Sequence, residues 1–408
     1  MEHLENSTIK VYNASMTHDS RYEMPYKLWQ NPGFDPVTNA AFKIKWKSPG
    51  LLESGHEKVF MIYYDIEESG TKPTRNYSIP EPRPYAMLVR DDNRHEYVEI
   101  LPDGSLGNVL TWYPPIDKGS LGRDVAIADF DNDGDYDVAN GADGSVFYIE
   151  QTDPVAITFT DRGLIGSVLA PFGTTTQGMA AGDFNFDGKM DFVASGLNDI
   201  YMIYYGFGNG SFWNQSIPYP YGGLSRGKDS ADFNNDQMLD FVSSRSDGMT
   251  YLFTNNGNNS FSVSYLFDDG GDTHCVAAGD FDNDGNADII RDIGNSVIFY
   301  LYKGYGNGTF AAPLNVFNGT AANLYGCDAF DMDDDGNLDI IYTLGNTGEL
   351  FTRRGLGDGN FSAATMHYDS ANNAIYGLAL PNHPVSSLGY MLAPETRSTS
   401  GIQSLALD

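Results

Sequence analysis

Short runs of apolar and small residues recur along the chain, and pairs of them flank a segment rich in acids. VAIADF, GMAAGDF, SADF, VAAGDF and CDAF lead into the acidic segments; YDVANG, DFVASG, DFVSS, ADIIRD and LDIIYT follow them. Runs of this length, bounded by polar punctuation, predict two strands joined by a turn. A third strand is predicted in SVFYIE, IYMIYYG, MTYLFTN, SVIFYLYKG and GELFTRRG. A Gly-Asn or Gly-Asp turn with an aromatic comes next in four repeats, as GNGSFW, GNNSFS, GNGTFA and GDGNFS, before a fourth strand. Four strands in a unit of about 50 residues is the pattern of a propeller blade, whereas solenoid repeats are shorter and need no such hairpin in each unit.

The acidic segments begin at Asp129, Asp183, Asp232, Asp280 and Asp331, at intervals of 54, 49, 48 and 51 residues. Each spans nine residues, and its odd positions carry oxygen donors. Calcium takes six to eight oxygen ligands, and a chain curled around the ion offers side chains from alternate positions and one carbonyl. Positions one, three, five and nine are Asp129, Asp131, Asp133 and Asp137; Asp183, Asn185, Asp187 and Asp191; Asp232, Asn234, Asp236 and Asp240; Asp280, Asp282, Asp284 and Asp288; Asp331, Asp333, Asp335 and Asp339. The seventh residue gives its backbone carbonyl: Asp135, Lys189, Met238, Asn286 and Asn337. Gly at position six permits the turn that closes the loop. The third loop has Gln237 there and Asn234 at position three, so it is expected to be the weakest; Asn185 makes the second intermediate. An EF-hand is excluded, because position twelve is Asn140, Ala194, Ser243, Arg291 or Tyr342 instead of Glu, and the flanks read as strands.

These residues resemble the FG-GAP repeat, also called the VCBS repeat, over residues 122–372. The family includes integrin α-subunit propellers, fungal propeller lectins and microbial surface proteins. The resemblance implies an all-β fold, a β-propeller of four-stranded antiparallel blades, with up to five Ca2+ in the loops joining the first two strands. Six or seven blades are open at this point. Residues 81–121 and 373–408 would close the ring, with three strands of the last blade drawn from the C-terminal text and an outer strand from NVLTWYPPI. Residues 1–80 do not fit the repeat and are read as a small β-rich appendage with a Pro-rich connector.

Composition sharpens this reading. The net charge is −31, and 45 glycines with 13% aromatics suit many short strands and tight turns. No basic patch favours a nucleic acid. Five bound Ca2+ would relieve about a third of the negative charge, since the loop positions named above hold 18 carboxylates. Cys275 and Cys327 fall at nearly matching places in consecutive repeats, which leaves a bridge between blades or two buried thiols open. No stretch of 18 apolar residues occurs to span a membrane.

Nine N-x-[ST] sequons, at Asn6, Asn13, Asn76, Asn209, Asn214, Asn258, Asn307, Asn318 and Asn360, fit a secreted protein, though Asn-Gly-Ser/Thr is also good hairpin chemistry. No nucleophile elbow or zinc set is present, and the seven histidines form no constellation. The expected function is therefore an extracellular or cell-surface binding module, an adhesion protein or glycoprotein that recognises a glycan or a cell-surface protein. The alternatives are a self-assembling subunit of a surface layer or filament, and a polysaccharide lyase or hydrolase on a propeller scaffold.

Overall fold

The computed structural model describes four strands before residue 81, and then residues 85–90, 95–112, 124–165, 176–219, 224–319 and 324–381, apart from 102, 143, 154–156, 197–199, 269, 294–296, 334, 346 and 370–374. The chain divides into two units: Met1–Pro80 with Phe186–Gly188 and Leu392–Asp408, and Glu81–Asn185 with Lys189–Met391. In the first unit Lys10–Asn13 pairs with Phe60–Tyr63, and Tyr26–Gln30 pairs with Phe42–Trp46, both antiparallel. The expected Pro-rich connector lies outside the described residues, as does the text beyond residue 381.

The second unit is a ring of six four-stranded antiparallel blades. Among the described residues there is no α-helix. Blade 1 runs Asp124–Ala128, Asp137–Ala142, Ser145–Asp153 and Thr158–Leu164 from the centre outwards. The inner strands of blades 2 to 5 are Thr176–Gly182, Ser225–Ala231, Val276–Gly279 and Leu324–Phe330. Blade 6 takes its inner strand, Ile375–Ala379, from the far end of the chain and its other three, Tyr85–Arg90, His95–Ile100 and Leu106–Trp112, from the near end. The ring therefore closes with one C-terminal strand and three N-terminal ones, the reverse of the expected division. A parallel bridge from Ile127 to Pro381 completes the contact with blade 1.

This closure explains why six blades carry five acidic loops. Each loop joins an inner strand to the second strand of its blade. In blade 6 those two strands lie at opposite ends of the chain, so no loop joins them.

Burial follows the position of each strand in the blade. The second strands of blades 1 to 5 are buried at every residue, polar ones such as Asn140, Ser243 and Arg291 included, so they show no alternation of buried and exposed positions. Outer strands such as Phe261–Asp268 alternate partly buried and exposed positions. The hydrophobic core is divided into six clusters, each between neighbouring blades. Phe192 and Tyr204 of blade 2 meet Phe130 and Tyr148 of blade 1 in one cluster, and Tyr85 and Tyr97 of blade 6 meet Ile127 and Val138 of blade 1 in another. Closing the ring is thus what completes the core.

The inner strands of blades 3 and 4 approach closely. A Cβ on Gly227 of blade 3 would lie 2.8 Å from the backbone nitrogen of Val276 in blade 4. Polar links also cross between blades. Asp124 accepts hydrogen bonds from Val125 N and, across the blade boundary, from Met179 N. Asp229 does the same with Ser230 N and Ala278 N, and Asp328 with Ala329 N and Leu380 N. One carboxylate thus ties blade 1 to 2, another 3 to 4 and a third 5 to 6. Between blades 4 and 5, Cys275 and Cys327 form a disulfide with Cα atoms 5.2 Å apart. Of the two readings open from sequence, the bridge is the one the fold adopts.

Candidate metal centre

The acidic loops curl because their own side chains accept hydrogen bonds from the backbone ahead. Asp280 receives Asp284 N and Gly285 N, at 3.0 and 2.9 Å. Asp331 receives Asp335 N and Gly336 N in the same way. At position five, Asp133, Asp236, Asp284 and Asp335 each accept the backbone N–H of position seven. These Asx turns hold each loop in its curl.

Two residues adopt positive φ in each of the first four loops, and position six does so in all five. At position six these are Gly134, Gly188, Gly285 and Gly336, with φ from 80 to 101°, and Gln237 at 72°. The expected departure of the third loop is therefore real backbone strain. At position four they are Asn132, Phe186, Asn235 and Asn283, with φ from 58 to 62°. Asn enters this region more readily than most residues. Its side chain is also used: Asn235 Nδ2 donates to Asn286 Oδ1 of the next blade, and Asn283 Nδ2 to Asn337 Oδ1. Sequence reasoning passed over this position because it was not among the expected ligands. The signal was the recurrence of Asn there.

The position-nine aspartates are fully buried in all five loops. Each accepts the backbone N–H of position two and that of a residue at the end of the third strand. For Asp137 the donors are Phe130 and Gln151; for Asp191, Phe184 and Gly206; for Asp240, Phe233 and Asn255; for Asp288, Phe281 and Gly304; for Asp339, Met332 and Gly355. This residue clamps the loop to its blade as well as facing the acidic cluster. Burial, aided by the charge of Asp131, pushes the Asp137 carboxyl up to about 8. Burial likewise raises Asp240 and Asp288 to about 7 and Asp339 to about 6.

Carboxylate oxygens converge in three loops. Those of Asp129, Asp131 and Asp137 lie within 4.8 Å of one another, as do those of Asp280, Asp282 and Asp288, and of Asp331, Asp333 and Asp335. Asp333 Oδ1 is buried with no hydrogen-bond partner. In the third loop, Asn234 Nδ2 donates to Asp236 Oδ2, so two of its expected ligands satisfy each other. In the second loop, the bonds to Asp191 match those of the other four. An all-oxygen donor set of this kind fits a hard divalent cation such as Ca2+. Asp129, Asp131, Asp133 and Asp137 would hold it in the first loop, and the corresponding residues elsewhere.

Two side chains unforeseen from sequence reach these clusters. Lys303 Nζ lies 2.6 Å from Asp282 Oδ2 in the fourth loop. Arg354 Nη1 lies 2.9 Å from both Asp333 Oδ2 and Asp339 Oδ2 in the fifth. Each stands just before the third-strand residue whose N–H meets the position-nine aspartate. The corresponding residues of blades 1 to 3 are Glu150, Tyr205 and Thr254.

In blades 2, 4 and 5 the turn closing the third strand packs on the loop of the blade before it. Gly210 N donates to Phe130 O, Gly308 N to Phe233 O and Gly359 N to Phe281 O. Within these turns Asn209 and Asn307 accept hydrogen bonds from Ser211 and Thr309, so these sequon residues shape the hairpin.

The described histidines are engaged with neighbours: His95 with Asn140, His367 with Thr352, and His274 with Asp272 and the ring of Tyr325.

Residues 129–194 and 232–291 match the FG-GAP-like repeat. Comparison with curated proteins finds no match. Among solved structures, the chain is similar to that of an Agrocybe aegerita lectin, described as the basis of specific recognition of non-reducing terminal N-acetylglucosamine. The identity is 16%, over 73% of this chain and 85% of that one, with a TM-score of 0.47. A mutant of AofleA from Arthrobotrys oligospora is 14% identical over 73% and 89%, with a TM-score of 0.45. BBS1N, solved in complex with ARL6DN, is 11% identical over 76% and 81%, with a TM-score of 0.43. Two stretches that each span a pair of acidic loops match the repeat, the fifth loop repeats the same hydrogen bonds, and all five sit between the first two strands of their blades: the chain carries FG-GAP-like repeats in a β-propeller of six blades.

Proposed function

We propose that this propeller works outside the cell as a calcium-stabilised binding or adhesion module whose partner is a glycan or a cell-surface protein. The observation that carries the calcium reading is the convergence of three carboxylates within 4.8 Å in the first, fourth and fifth loops. Like charges this close repel unless protonated or bridged by a cation, and Ca2+ supplies the bridge at neutral pH. Asp129, Asp280 and Asp331 with their loop partners hold the ion; the position-nine aspartate fixes the loop to its blade. The Cys275–Cys327 disulfide supports an oxidising compartment, where calcium is also plentiful.

The binding role rests on exposed rings and chains at equivalent places in the ring. Phe207, Tyr305 and Leu356 occupy the same turn position in blades 2, 4 and 5 and are at least half exposed. Trp213 and Tyr265 are exposed on outer strands. Exposed aromatic faces suit sugar stacking or protein contact. The reading assigns no catalytic residue.

A glycan array probed in calcium and in EDTA, with a screen of cell-surface proteins in parallel, tests this. Binding that disappears in EDTA supports the module. A folded, calcium-loaded protein that binds neither class overturns it.

A further inference from the structure

We propose that Lys303 and Arg354 are tethered cations that compete with calcium for the fourth and fifth loops, so that the side chain at this one strand position grades the affinities of the three loops with four carboxylates. The inference rests on the calcium reading above and deepens it.

The register fixes the geometry. In each of blades 1 to 5 the backbone N–H that meets the position-nine aspartate comes from the residue after this position: Gln151, Gly206, Asn255, Gly304 and Gly355. In blades 4 and 5 the preceding side chain reaches the acidic cluster of its own blade. The preceding residue is Glu150 in blade 1, Tyr205 in blade 2, Thr254 in blade 3, Lys303 in blade 4 and Arg354 in blade 5. The cations occur in two of the three loops that are richest in carboxylates.

In blade 4 the Lys303 ammonium sits on Asp282 Oδ2, an oxygen that a calcium ion in that loop would need. Its side chain is 31% exposed and flexible, so it can withdraw to solvent when the ion arrives. In blade 5 the Arg354 guanidinium bridges Asp333 and Asp339, while its Nη2 donates to Asp103 O in the second hairpin of blade 6. Displacing it costs a link between blades as well as an ion pair. Blade 1 carries the opposite charge at this position. Glu150 is held by a bidentate pair to Arg162, at 2.6 and 2.7 Å, and adds to the negative field at Asp131. The first loop is therefore the tightest site, the fourth is weakened and the fifth is weakened further. The same cations keep blades 4 and 5 partly neutralised when calcium is scarce.

Calcium titration calorimetry and thermal melting in EDTA test the proposal on the full chain, using Lys303→Gln and Thr254→Lys. Lys303→Gln is expected to tighten one calcium site by about threefold or more, as loss of a partly exposed ion pair allows, and to lower the melting temperature in EDTA. Thr254→Lys is expected to weaken one site. If the wild-type protein binds calcium while neither variant moves any site, the proposal is overturned and the calcium reading stands. If the wild-type protein binds no calcium, the calcium reading itself fails. Should Lys303→Gln not fold, an unchanged Thr254→Lys titration alone overturns the proposal.

Discussion

Cys275 and Cys327 join the inner margins of blades 4 and 5, 52 residues apart in sequence and buried at the centre of their shared core. In the chain-entropy view, a loop of this length restricts the unfolded state by about 4 kcal/mol, with native proteins usually showing about 2–4. The paired Cys275→Ala and Cys327→Ala variant is expected to lose roughly that much stability in denaturant unfolding. A variant within about 0.5 kcal/mol of wild type would show that the bridge constrains nothing.

Gln237 holds φ at 72°, where the other loops have Gly. A Gln→Gly change removes left-handed strain of about 1 kcal/mol, partly offset by the greater freedom of Gly when unfolded. The Gln237→Gly protein should melt at a slightly higher temperature. The third loop should also gain calcium affinity, read by calorimetry, because it no longer resists closure. Loss of stability would mean that the Gln side chain contributes packing that outweighs the strain.

Asp328 holds the final strand of the ring through Leu380 N. Asp328→Ala leaves that N–H and Ala329 N buried without their acceptor, at a cost of about 1–3 kcal/mol each. Limited proteolysis should then release the C-terminal strand before the rest of the ring. Wild-type protease resistance in this variant would show that the closure depends on apolar packing alone.

The same carboxylates make a pH prediction. Burial pushes Asp124 and Asp328 up to about 7, and burial followed by the charge of Asp328 also raises Asp229. Unfolded aspartates ionise near ~3.9. Between these values the folded chain holds more protons than the unfolded one, so stability falls as pH rises from about 4 to about 7. Lys228, which faces Asp124, is lowered to about 7 by burial. Its deprotonation gives an opposite slope above about pH 7, so the comparison belongs below it. In EDTA, the melting temperature should decrease from about pH 5 to about pH 7, and Asp328→Asn should flatten part of the decrease. A variant with the wild-type slope contradicts the assignment.

The blades were legible because each acidic segment sits at a fixed place between apolar runs, and five copies set the period. The place of the acidic loops between the first two strands of a blade was legible for the same reason. The make-up of blade 6 was not. Tyr85–Ile100 lacks an acidic loop, and nothing local shows that Ile375–Ala379, nearly 300 residues later, pairs with Tyr85–Arg90. Lys303 and Arg354 were missed because their relation to Asp282, Asp333 and Asp339 runs across a hairpin register, which residue spacing alone does not display. Asn235 and Asn283 were missed because their partners belong to the next blade. The unusual residue at Gln237 was legible, since the turn demands a backbone conformation that its neighbours supply with Gly.

The most direct measurement is differential scanning calorimetry of the intact protein in millimolar calcium and in EDTA, paired with a calcium titration. Filling the acidic loops should release heat with a stoichiometry above one, approaching five, and raise the melting temperature by many degrees, since ligands that bind only the folded state stabilise it by mass action. Superimposable melting curves with no binding heat would contradict the account.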